Sequence, residues 1–273
     1  MGKLDGKVAI VTGGARGQGR AHAVALASEG ADVVICDVAE QIGTVRYPLA
    51  TTQDLADTAE LVDEAGRRCL AVQADVRSQE QMNAVVEQAR SEFGRIDILI
   101  ANAGIASNAP IAEMDEQTWR DMIEVNLTGV FHSFRAVVPH MIEQRSGRIV
   151  ATSSIAARMG TAKGGHYAAA KWGVLGLVKS LSLEVAQFGI TVNAVLPAGV
   201  QTDMIMNPAT YQLLLPDIDN PTEVDAMAMF EAGGGLIQPE DVAEVILMLV
   251  ADSGRHFNGE AITISDGLSA NTT

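Results

Sequence analysis

The sequence predicts an α/β domain in which a doubly wound parallel sheet of about seven strands carries helices on both faces. Short aliphatic runs alternate with longer runs of helical periodicity along all 273 residues. The short runs are almost wholly apolar, as parallel strands are when both of their faces are buried. Because no linker or low-complexity tract interrupts this alternation, residues 1–273 are predicted to form a single domain.

The first half of the chain contains four predicted strands, at residues 7–12, 31–37, 69–75 and 96–102. The helix after the first strand ends at Gly30, since glycine readily adopts the left-handed conformation that closes helices. The helices after the second and third strands open with capping sequences at Thr51 and Ser78. Their hydroxyls can accept the free N–H groups of a first helical turn. These signals place one helix after each strand.

The second half contributes three further strands, at residues 148–154, 190–196 and 260–265. A long helical stretch from Glu116 to Glu143 precedes the first of them, with Pro139 near its end. An Ala-rich helix that carries Tyr167 separates the first two of these strands. A last helix opens at Pro239, a residue type that suits the first helical turn.

Two segments do not follow the alternation. The insertion at about 40–52 is longer than a connection between a strand and a helix requires. The segment 203–235 is rich in Met, Pro and Gly and has no clean period, so we expect a flexible lid over an apolar substrate. Ordinary core filling is the alternative for its apolar side chains. The candidate lining residues of the lid are Met204, Met206, Met227, Met229 and Phe230.

Composition excludes several classes of partner. The chain carries 34 acidic and 19 basic side chains, and this net charge of −15 argues against nucleic acids and anionic membrane surfaces. No apolar run reaches the length of a membrane span and no signal peptide is recognisable, so a cytoplasmic location is expected. Cys36 and Cys69 lie in apolar runs, which predicts buried thiols in a reducing compartment. Neither they nor the histidines show ligand spacing, and no metal site is predicted.

A glycine-rich turn, TGGARGQG at residues 12–19, connects the first strand to the first helix. Gly13, Gly17 and Gly19 permit a tight turn and a close approach of the backbone to a pyrophosphate at the helix N-terminus. Asp37 ends the second strand, where a carboxylate can bind the adenosine ribose and repel a 2′-phosphate. This arrangement favours NAD over NADP, although the guanidinium of Arg16 would suit a 2′-phosphate instead.

A second group of chemically active residues lies near the strand at 148–154. Tyr167 and Lys171 are four residues apart in a helical run, so their side chains share one face. A nearby cation stabilises a phenolate and would lower the pKa of Tyr167 towards the range that general acid–base catalysis requires. Ser154, at the strand end, could hydrogen-bond the same substrate oxygen. His166 is turned about 100° away along the helix, and we expect it at the surface or the substrate rim.

The order of seven motifs along the chain resembles that of the short-chain dehydrogenase/reductase family. The motifs are TGGARGQG (12–19), ADV (74–76), ANAG (101–104), VNLTG (125–129), TSS (152–154), YAAAK (167–171) and PAGVQT (197–202). They cover nearly the whole sequence. The resemblance implies a Rossmann-type fold and an oxidoreductase that uses a nicotinamide dinucleotide.

The resemblance also implies roles for individual residues. Ser154 would polarise the substrate oxygen, Tyr167 would exchange its proton, and Lys171 would hold the nicotinamide ribose and depress the pKa of Tyr167. Asn126 would hold a helix kink and a water of the proton relay. The cofactor-binding residues predicted from the glycine-rich turn and from the resemblance together are Gly13, Arg16, Gly17, Gln18, Gly19, Asp37, Val38, Asp75, Val76, Asn102, Ala103, Gly104, Tyr167, Lys171, Pro197, Val200 and Thr202.

Within the family, the insertion and the sequences GARGQGRAHAVALA and ANAGI are similar to the carveol dehydrogenase-like branch. That branch is associated with the redox carrier mycofactocin. The similarity implies that NAD is held tightly under the insertion and that its electrons pass to such a carrier. In the family, helices like those that carry Asn126 and Tyr167 pack between subunits, which implies a homotetramer.

We therefore expect an enzyme that interconverts a secondary alcohol and a ketone by hydride transfer to or from NAD. The expected substrate is small and apolar, and cyclic or terpenoid-like. One alternative is a 3-oxoacyl or steroid-type reductase. The other is a catalytically idle nucleotide-binding regulator on the same fold, although the presence of Asn126, Ser154, Tyr167 and Lys171 together argues against it.

Overall fold

Seven apolar runs of the sequence pair into one sheet in the computed structural model, which describes residues 2–232 and 235–271. The pairings within the sheet are all parallel, and they confirm the predicted doubly wound architecture. The strands are β1 (Val8–Thr12), β2 (Asp32–Asp37), β3 (Cys69–Gln73), β4 (Ile98–Ala101), β5 (Gly147–Thr152), β6 (Ile190–Pro197) and β7 (Ala261–Ile264). Their order across the sheet is β3-β2-β1-β4-β5-β6-β7.

Helices cover both faces of this sheet. They are α1 (Gly17–Ser28), α2 (Thr52–Glu64), α3 (Gln79–Phe93), α4 (Glu116–Ile123), α5 (Gly129–Gln144), α6 (Gly165–Val185), α7 (Pro208–Leu214), α8 (Glu223–Ala232) and α9 (Pro239–Val250). One core lies under α1, α2 and α9, and the other under α3, α5 and α6. Neighbouring residues of β1 serve different cores, since Ile10 joins one and Val11 the other. Within the described residues, no helix has both the length and the apolar character of a membrane span.

The helix ends follow the predicted signals. The Thr51 hydroxyl accepts the Asp54 N–H at 3.2 Å, and the Asp54 carboxylate accepts the Thr51 N–H at 2.8 Å. This reciprocal pair caps α2. Ser78 caps α3 in the predicted way by accepting the Gln81 N–H at 3.3 Å. For α2 and α3, the local signals that define the helix in the sequence therefore also satisfy free donors of its first turn in the fold.

The helical stretch predicted from Glu116 to Glu143 is divided into α4 and α5. A π-helical segment, Glu124–Thr128, separates them and contains Asn126. It leads directly into Gly129, where a Cβ atom would lie only 2.6 Å from the Val76 side chain. Glycine is therefore the residue that lets the helix approach the loop after β3 this closely. Pro139 is accommodated inside α5 rather than ending it.

The segment 203–235 contains two short helices that the sequence pattern did not predict. Asn207 caps α7, because its side-chain oxygen accepts the Thr210 N–H at 2.9 Å. Thr222 and Asp225 form a similar cap before α8. Both helices are shorter than the window over which an apolar period becomes recognisable, so capping residues were the only signal in the sequence.

The chain order reverses between β1 and β4, which lie side by side although two strands separate them in sequence. Their carboxyl ends are held together by Thr12, whose hydroxyl accepts the N–H groups of Asn102 and Ala103 at 3.0 and 3.1 Å. In open α/β sheets, ligands bind in the crevice outside the carboxyl ends at such a reversal. The functional site is therefore expected at this edge.

Residues 40–51, which we call the strap, form neither helix nor strand. They correspond to the predicted insertion, and several of them line the crevice. Ile42, Val45 and Tyr47 are buried in the same core as α3 and α5, with no more than 7% of each exposed. The strap is thus anchored by apolar burial rather than lying free on the surface.

Candidate active site

A cleft lies at the carboxyl ends of β1, β2, β4, β5 and β6. The glycine-rich turn forms one wall, and the strap and the residues that follow β6 border the opposite side. Every predicted site residue except Asn126 lines this cleft. Segments that are more than a hundred residues apart in the chain therefore meet in one place.

The glycine-rich turn forms a cradle without side chains. Gly13 and Gly17 have φ angles of 64° and 55°, a region in which side chains are strained. A Cβ atom at Gly19 would lie 1.9 Å from the Gly13 carbonyl oxygen, and one at Gly13 would lie 2.7 Å from the Ala103 Cα. The first turn of α1 follows directly and offers free N–H groups. This cradle fits the pyrophosphate of a dinucleotide.

The predicted adenosine end of the cleft is formed by the ends of β2 and β3. The Asp37 carboxylate accepts the N–H groups of Ala15 and Ala39 at 3.3 and 3.2 Å, which fixes its orientation. Burial raises the pKa of Asp37, and these two hydrogen bonds oppose that rise. Asp75 lies at the same end, where the Arg77 guanidinium binds both oxygens of its carboxylate, from Nε to Oδ1 at 3.0 Å and from Nη2 to Oδ2 at 2.6 Å.

Arg16 does not stand free beside Asp37. Its guanidinium hydrogen-bonds the Pro48 carbonyl of the strap and forms an ion pair with Asp203 at 2.9 Å. Asp203 follows Thr202 at the start of the predicted lid. One side chain of the glycine-rich turn therefore connects the turn to both covering segments, which the sequence did not indicate.

Ser154, Tyr167 and Lys171 meet at the other end of the cleft. Ser154 lies two residues beyond β5, and its hydroxyl is a hydrogen-bond partner of the Tyr167 phenol. The Lys171 ammonium lies 5.6 Å from the centre of the Tyr167 ring and donates a hydrogen bond to the Thr152 carbonyl at 2.9 Å. Among the described residues this carbonyl is its only hydrogen-bond acceptor, which leaves N–H donors suited to the hydroxyls of a ribose.

The ionisation of this group differs from the sequence expectation. Burial raises the pKa of Tyr167, and the bond from Ser154 opposes that rise. Burial also lowers the pKa of Lys171 to about 8. The expected depression of the Tyr167 pKa by Lys171 is therefore not found. The physical reason is that both side chains are removed from water, which disfavours the phenolate and the ammonium alike.

Asn126 acts behind the cleft rather than in it. Its side-chain oxygen accepts the Ile105 N–H at 2.8 Å, and its side-chain nitrogen donates to the Ile105 carbonyl at 2.8 Å. The π-helical segment aims this amide at the loop after β4, one residue beyond Gly104. In this structure Asn126 thus fixes the backbone that borders the cleft.

Asn102 braces the ends of three strands. Its amide nitrogen donates to the carbonyls of Thr12 and Gly13 at 3.1 and 3.3 Å. Its oxygen accepts the Thr152 hydroxyl at 3.2 Å. A single side chain therefore links β1, β4 and β5 and holds the glycine-rich turn in place.

His166 corrects a sequence expectation. It is fully buried, and its Nε2 lies 2.8 Å from the Ser107 hydroxyl in the loop after β4. The predicted surface position was wrong because this loop folds over the face of α6 next to Tyr167, whereas the alternative position at the substrate rim stays a prediction. Burial lowers the pKa of His166, so a neutral imidazole is favoured.

The strap supplies cleft residues that the sequence analysis did not name individually. Ile42, Tyr47, Leu49 and Ala50 all line the cleft. The Tyr47 hydroxyl accepts the Ala106 N–H at 3.1 Å. The available signal was the pair Tyr47-Pro48 in the long connection between β2 and α2. It indicated a loop but not which part of the chain the loop contacts.

The predicted lid lines the cleft only where it begins. Of its five candidate lining residues, Met204 borders the cleft, and it does so together with Asp203 and Ile205. Met206, Met227, Met229 and Phe230 do not line it. The apolar surface near the catalytic end therefore comes from the first residues after β6 and from the strap.

Comparison with known proteins decides the family. The family model described as short chain dehydrogenase matches residues 7–212. The chain belongs to the short chain dehydrogenase family. The predicted resemblance is thus confirmed, and the chain is an oxidoreductase of this family.

Several relatives of this short chain dehydrogenase match along nearly their whole length. (-)-trans-Carveol dehydrogenase of Rhodococcus erythropolis is 44% identical over 274 residues, which cover 98% of this chain and 99% of that protein. The crystal structure of carveol dehydrogenase from Mycobacterium avium in complex with NAD has a TM-score of 0.94 at 39% identity and covers 97% of this chain and 98% of that one. Levodione reductase has a TM-score of 0.88 at 31% identity, covering 98% and 99%.

Proposed function

We propose that this short chain dehydrogenase interconverts a small secondary alcohol and its ketone by using NAD. The observation that carries the proposal is that Ser154, Tyr167 and Lys171 converge at one end of a cleft. The glycine-rich turn forms a wall of the same cleft. A hydroxyl, a phenol and an ammonium at that place can bind and protonate one substrate oxygen. The cradle positions a dinucleotide beside them.

Each of these residues has a distinct task in the proposed reaction. Bound NAD supplies the hydride acceptor, and NADH the donor, at the nicotinamide ring. Ser154 hydrogen-bonds the substrate oxygen, and Tyr167 donates its proton to a ketone or takes it from an alcohol. Lys171 would hold the ribose next to Tyr167. Asn126 keeps the loop after β4 in position behind them.

The fit of NAD rather than NADP is supported at the adenosine end. The half-buried carboxylate of Asp37 lies where the ribose hydroxyls would bind and would repel a 2′-phosphate. Arg16, which could have served a 2′-phosphate, is engaged by Pro48 and Asp203 instead. The carveol dehydrogenase of Mycobacterium avium was crystallised with NAD, in agreement with this assignment.

The proposed substrate is apolar, and cyclic or terpenoid-like. Leu49, Ala198, Met204 and Ile205 border the cleft with aliphatic side chains. Such a lining stabilises a hydrocarbon ring and leaves Ser154 to recognise its single oxygen. Similarity to (-)-trans-carveol dehydrogenase along nearly the whole chain supports the same substrate class.

We also propose that NAD is held tightly and that its electrons pass to a carrier of the mycofactocin type. Support for tight binding comes from the strap, which is anchored at three places around the cleft. Thr44 donates to the buried Asp121 at 2.7 Å, Tyr47 accepts from Ala106, and Pro48 accepts from Arg16. Support for the carrier comes from similarity to the carveol dehydrogenase-like branch alone.

A homotetramer and a cytoplasmic location complete the proposal. Trp119 on α4, and Phe131 and Trp172 further along the same helical layer, expose 43–51% of their surface. Exposed aromatic side chains of this size are characteristic of interfaces. The free thiols of Cys36 and Cys69 suit a reducing compartment.

Two alternatives make different predictions. A 3-oxoacyl reductase would prefer 3-oxoacyl thioesters to cyclic alcohols, and relatives of that kind match at 35–36% identity. An idle nucleotide-binding protein would turn over neither substrate. The complete set of Ser154, Tyr167 and Lys171 in the cleft favours catalysis over idle binding.

The deciding experiment compares Tyr167→Phe with the wild type on a cyclic terpenoid alcohol and an artificial electron acceptor. We expect the variant to lose at least about a hundredfold in turnover, because it removes the exchangeable proton. Denaturation of both proteins should release the same nucleotide, identified as NAD(H) by mass spectrometry. Tyr211→Phe, which alters a buried tyrosine outside the cleft, should keep full activity. Undiminished turnover by Tyr167→Phe would contradict the proposed mechanism.

A further inference from the structure

Tyr47 of the strap is the one aromatic side chain that reaches the cleft from outside the sheet and its helices in the described part of the chain. It is 6% exposed, and it lines the cleft together with Ser154, Tyr167 and Lys171. The Ala106 N–H donates to its phenolic oxygen at 3.1 Å, which fixes the ring against the loop after β4. A surface loop does not need a buried phenol for its own stability, so this hydroxyl calls for an explanation.

The hydrogen bonding of Tyr47 is incomplete. A phenol is both a donor and an acceptor, and Tyr47 uses only its acceptor capacity. Its O–H proton has no acceptor among the residues that the structure describes. A buried donor without a partner is unfavourable, so a ligand in the cleft that accepts this proton would be favoured.

Hydrogen bonds locate Tyr47 along the cleft. Its hydroxyl is bonded to Ala106, and the next residue, Ser107, contacts His166 beside Tyr167. On the other side, the carbonyl of the adjacent Pro48 accepts from Arg16 of the glycine-rich turn. It therefore lies between the group that contacts the substrate and the cradle that fits a pyrophosphate. The part of a dinucleotide that leads from the cradle towards the catalytic end is the nicotinamide-side phosphate with the ribose that it carries. Of these two, the phosphate is the charged group that can only accept a hydrogen bond.

The ionisation of Tyr47 suits a donor. Burial raises its pKa to about 12, so the phenol keeps its proton at neutral pH. A hydrogen bond from a neutral phenol to a phosphate oxygen is charge-assisted and is therefore stronger than a bond between neutral groups.

We propose that the Tyr47 O–H donates a hydrogen bond to the nicotinamide-side phosphate of bound NAD, so that the strap binds the cofactor directly as well as covering it. The proposal rests on the assignment of NAD as cofactor. It makes Tyr47 a cofactor-binding residue contributed by the insertion. A bound pyrophosphate then completes the hydrogen bonding of Tyr47, the central side chain of the strap.

The test measures the affinity of full-length protein, freed of nucleotide with charcoal, for NAD, ADP-ribose, ADP and AMP by calorimetry. AMP lacks the phosphate in question, and the other three carry it. Tyr47→Phe should weaken binding of NAD, ADP-ribose and ADP by about tenfold and leave AMP within about twofold. The loss should be the same at pH 6 and pH 9, since the phenol does not titrate in that range.

Thr44→Val is the matched control because it loosens the strap at Asp121 without altering the phenol. This variant should weaken the binding of AMP and the binding of ADP by the same factor. An equal loss for AMP and ADP in Tyr47→Phe would mean that the variant only loosens the strap, and it would overturn the proposal. Unchanged binding of all four ligands by Tyr47→Phe would overturn it as well. Failure of the wild type to bind any of them would instead refute the cofactor assignment itself.

Discussion

Lys171 shows how a single residue of the candidate active site can lower the stability of the fold. Its side chain is 3% exposed, and burial lowers its pKa from 10.5 to about 8. A shift of this size corresponds to about 3 kcal/mol of unfavourable free energy for the charged form in the folded state. The residue therefore destabilises the fold at neutral pH and is retained for its position beside Tyr167.

Lys171→Met should raise the melting temperature at pH 7 by about 5 to 10 °C while abolishing turnover. The sign follows from the lowered pKa. The cost of the charge is fully present below pH 8 and disappears as the pH rises towards 10.5, where the unfolded chain also loses its proton. Thermal melts at pH 7 and pH 10 measure the change, and the gain should shrink at pH 10. Lys179→Met, an exposed position on the same helix, should show no such gain. A Lys171→Met protein that is less stable at pH 7 would contradict the prediction.

Local spacing predicted which residues meet at the catalytic end but not their ionisation. The four-residue interval between Tyr167 and Lys171 placed both side chains on one face, and the structure keeps them there. The pKa of each depends on how much water surrounds it, which in turn depends on β5, the strap and the loop after β4. No property of the helix alone contains that information.

The two covering elements are held by different forces. The strap buries Ile42, Val45 and Tyr47, and Thr44 bonds a carboxylate that is only 7% exposed. The start of the lid is tied to the glycine-rich turn by the ion pair between Arg16 and Asp203, whose side chain is 60% exposed. An exposed ion pair contributes at most about 1 kcal/mol, whereas burial of one large aliphatic side chain contributes about 1.5–3 kcal/mol. The lid should therefore open for substrate while the strap stays closed over NAD.

Thr44→Val and Asp203→Asn should separate these two motions. Thr44→Val removes a hydrogen bond to a buried carboxylate and should speed NAD release by about tenfold or more. Asp203→Asn removes only the exposed ion pair and should leave NAD release within about twofold of the wild type. The release rate is followed by exchange of bound NAD for isotope-labelled NAD in excess. Equal acceleration by the two variants would show that strap and lid open together.

The helical layer formed by α4, α5 and α6 exposes apolar side chains that bear on the assembly of the whole molecule. Trp119 and Trp172 expose about half of their surface, and α4 and α6 lie against one another. These apolar side chains gain by removal from water, which an oligomer provides. The acidic net charge of −15 opposes non-specific association, so a defined interface is favoured over aggregation.

Trp172→Glu should convert the proposed tetramer to a smaller species without unfolding it. The reason is that a carboxylate in an apolar interface loses its hydration without gaining a partner. Size-exclusion chromatography with light scattering measures the mass. Leu61→Glu, which alters an exposed leucine of α2 on the other face of the sheet, should leave the mass unchanged. A wild-type protein that elutes as a monomer would contradict the tetramer directly.

The sequence by itself determined the seven strands, most of the helices, the glycine-rich turn and the candidate catalytic side chains. Each of these depends on neighbours within a few residues: an apolar run, a capping pair, a glycine where a Cβ would collide. Gly19 is a clear case, since its requirement for a missing side chain follows from the turn that contains it.

Only the tertiary structure decided the path of the strap, the partners of Arg16 and the burial of His166. These contacts join segments that lie 32 to 187 positions apart, as in the pairs Arg16 with Pro48, Ser107 with His166 and Arg16 with Asp203. Local periodicity carries no information about such pairs, because they form only when the sheet brings its carboxyl ends together. The same packing removes water from Tyr167 and Lys171 and thereby sets the protonation on which catalysis depends.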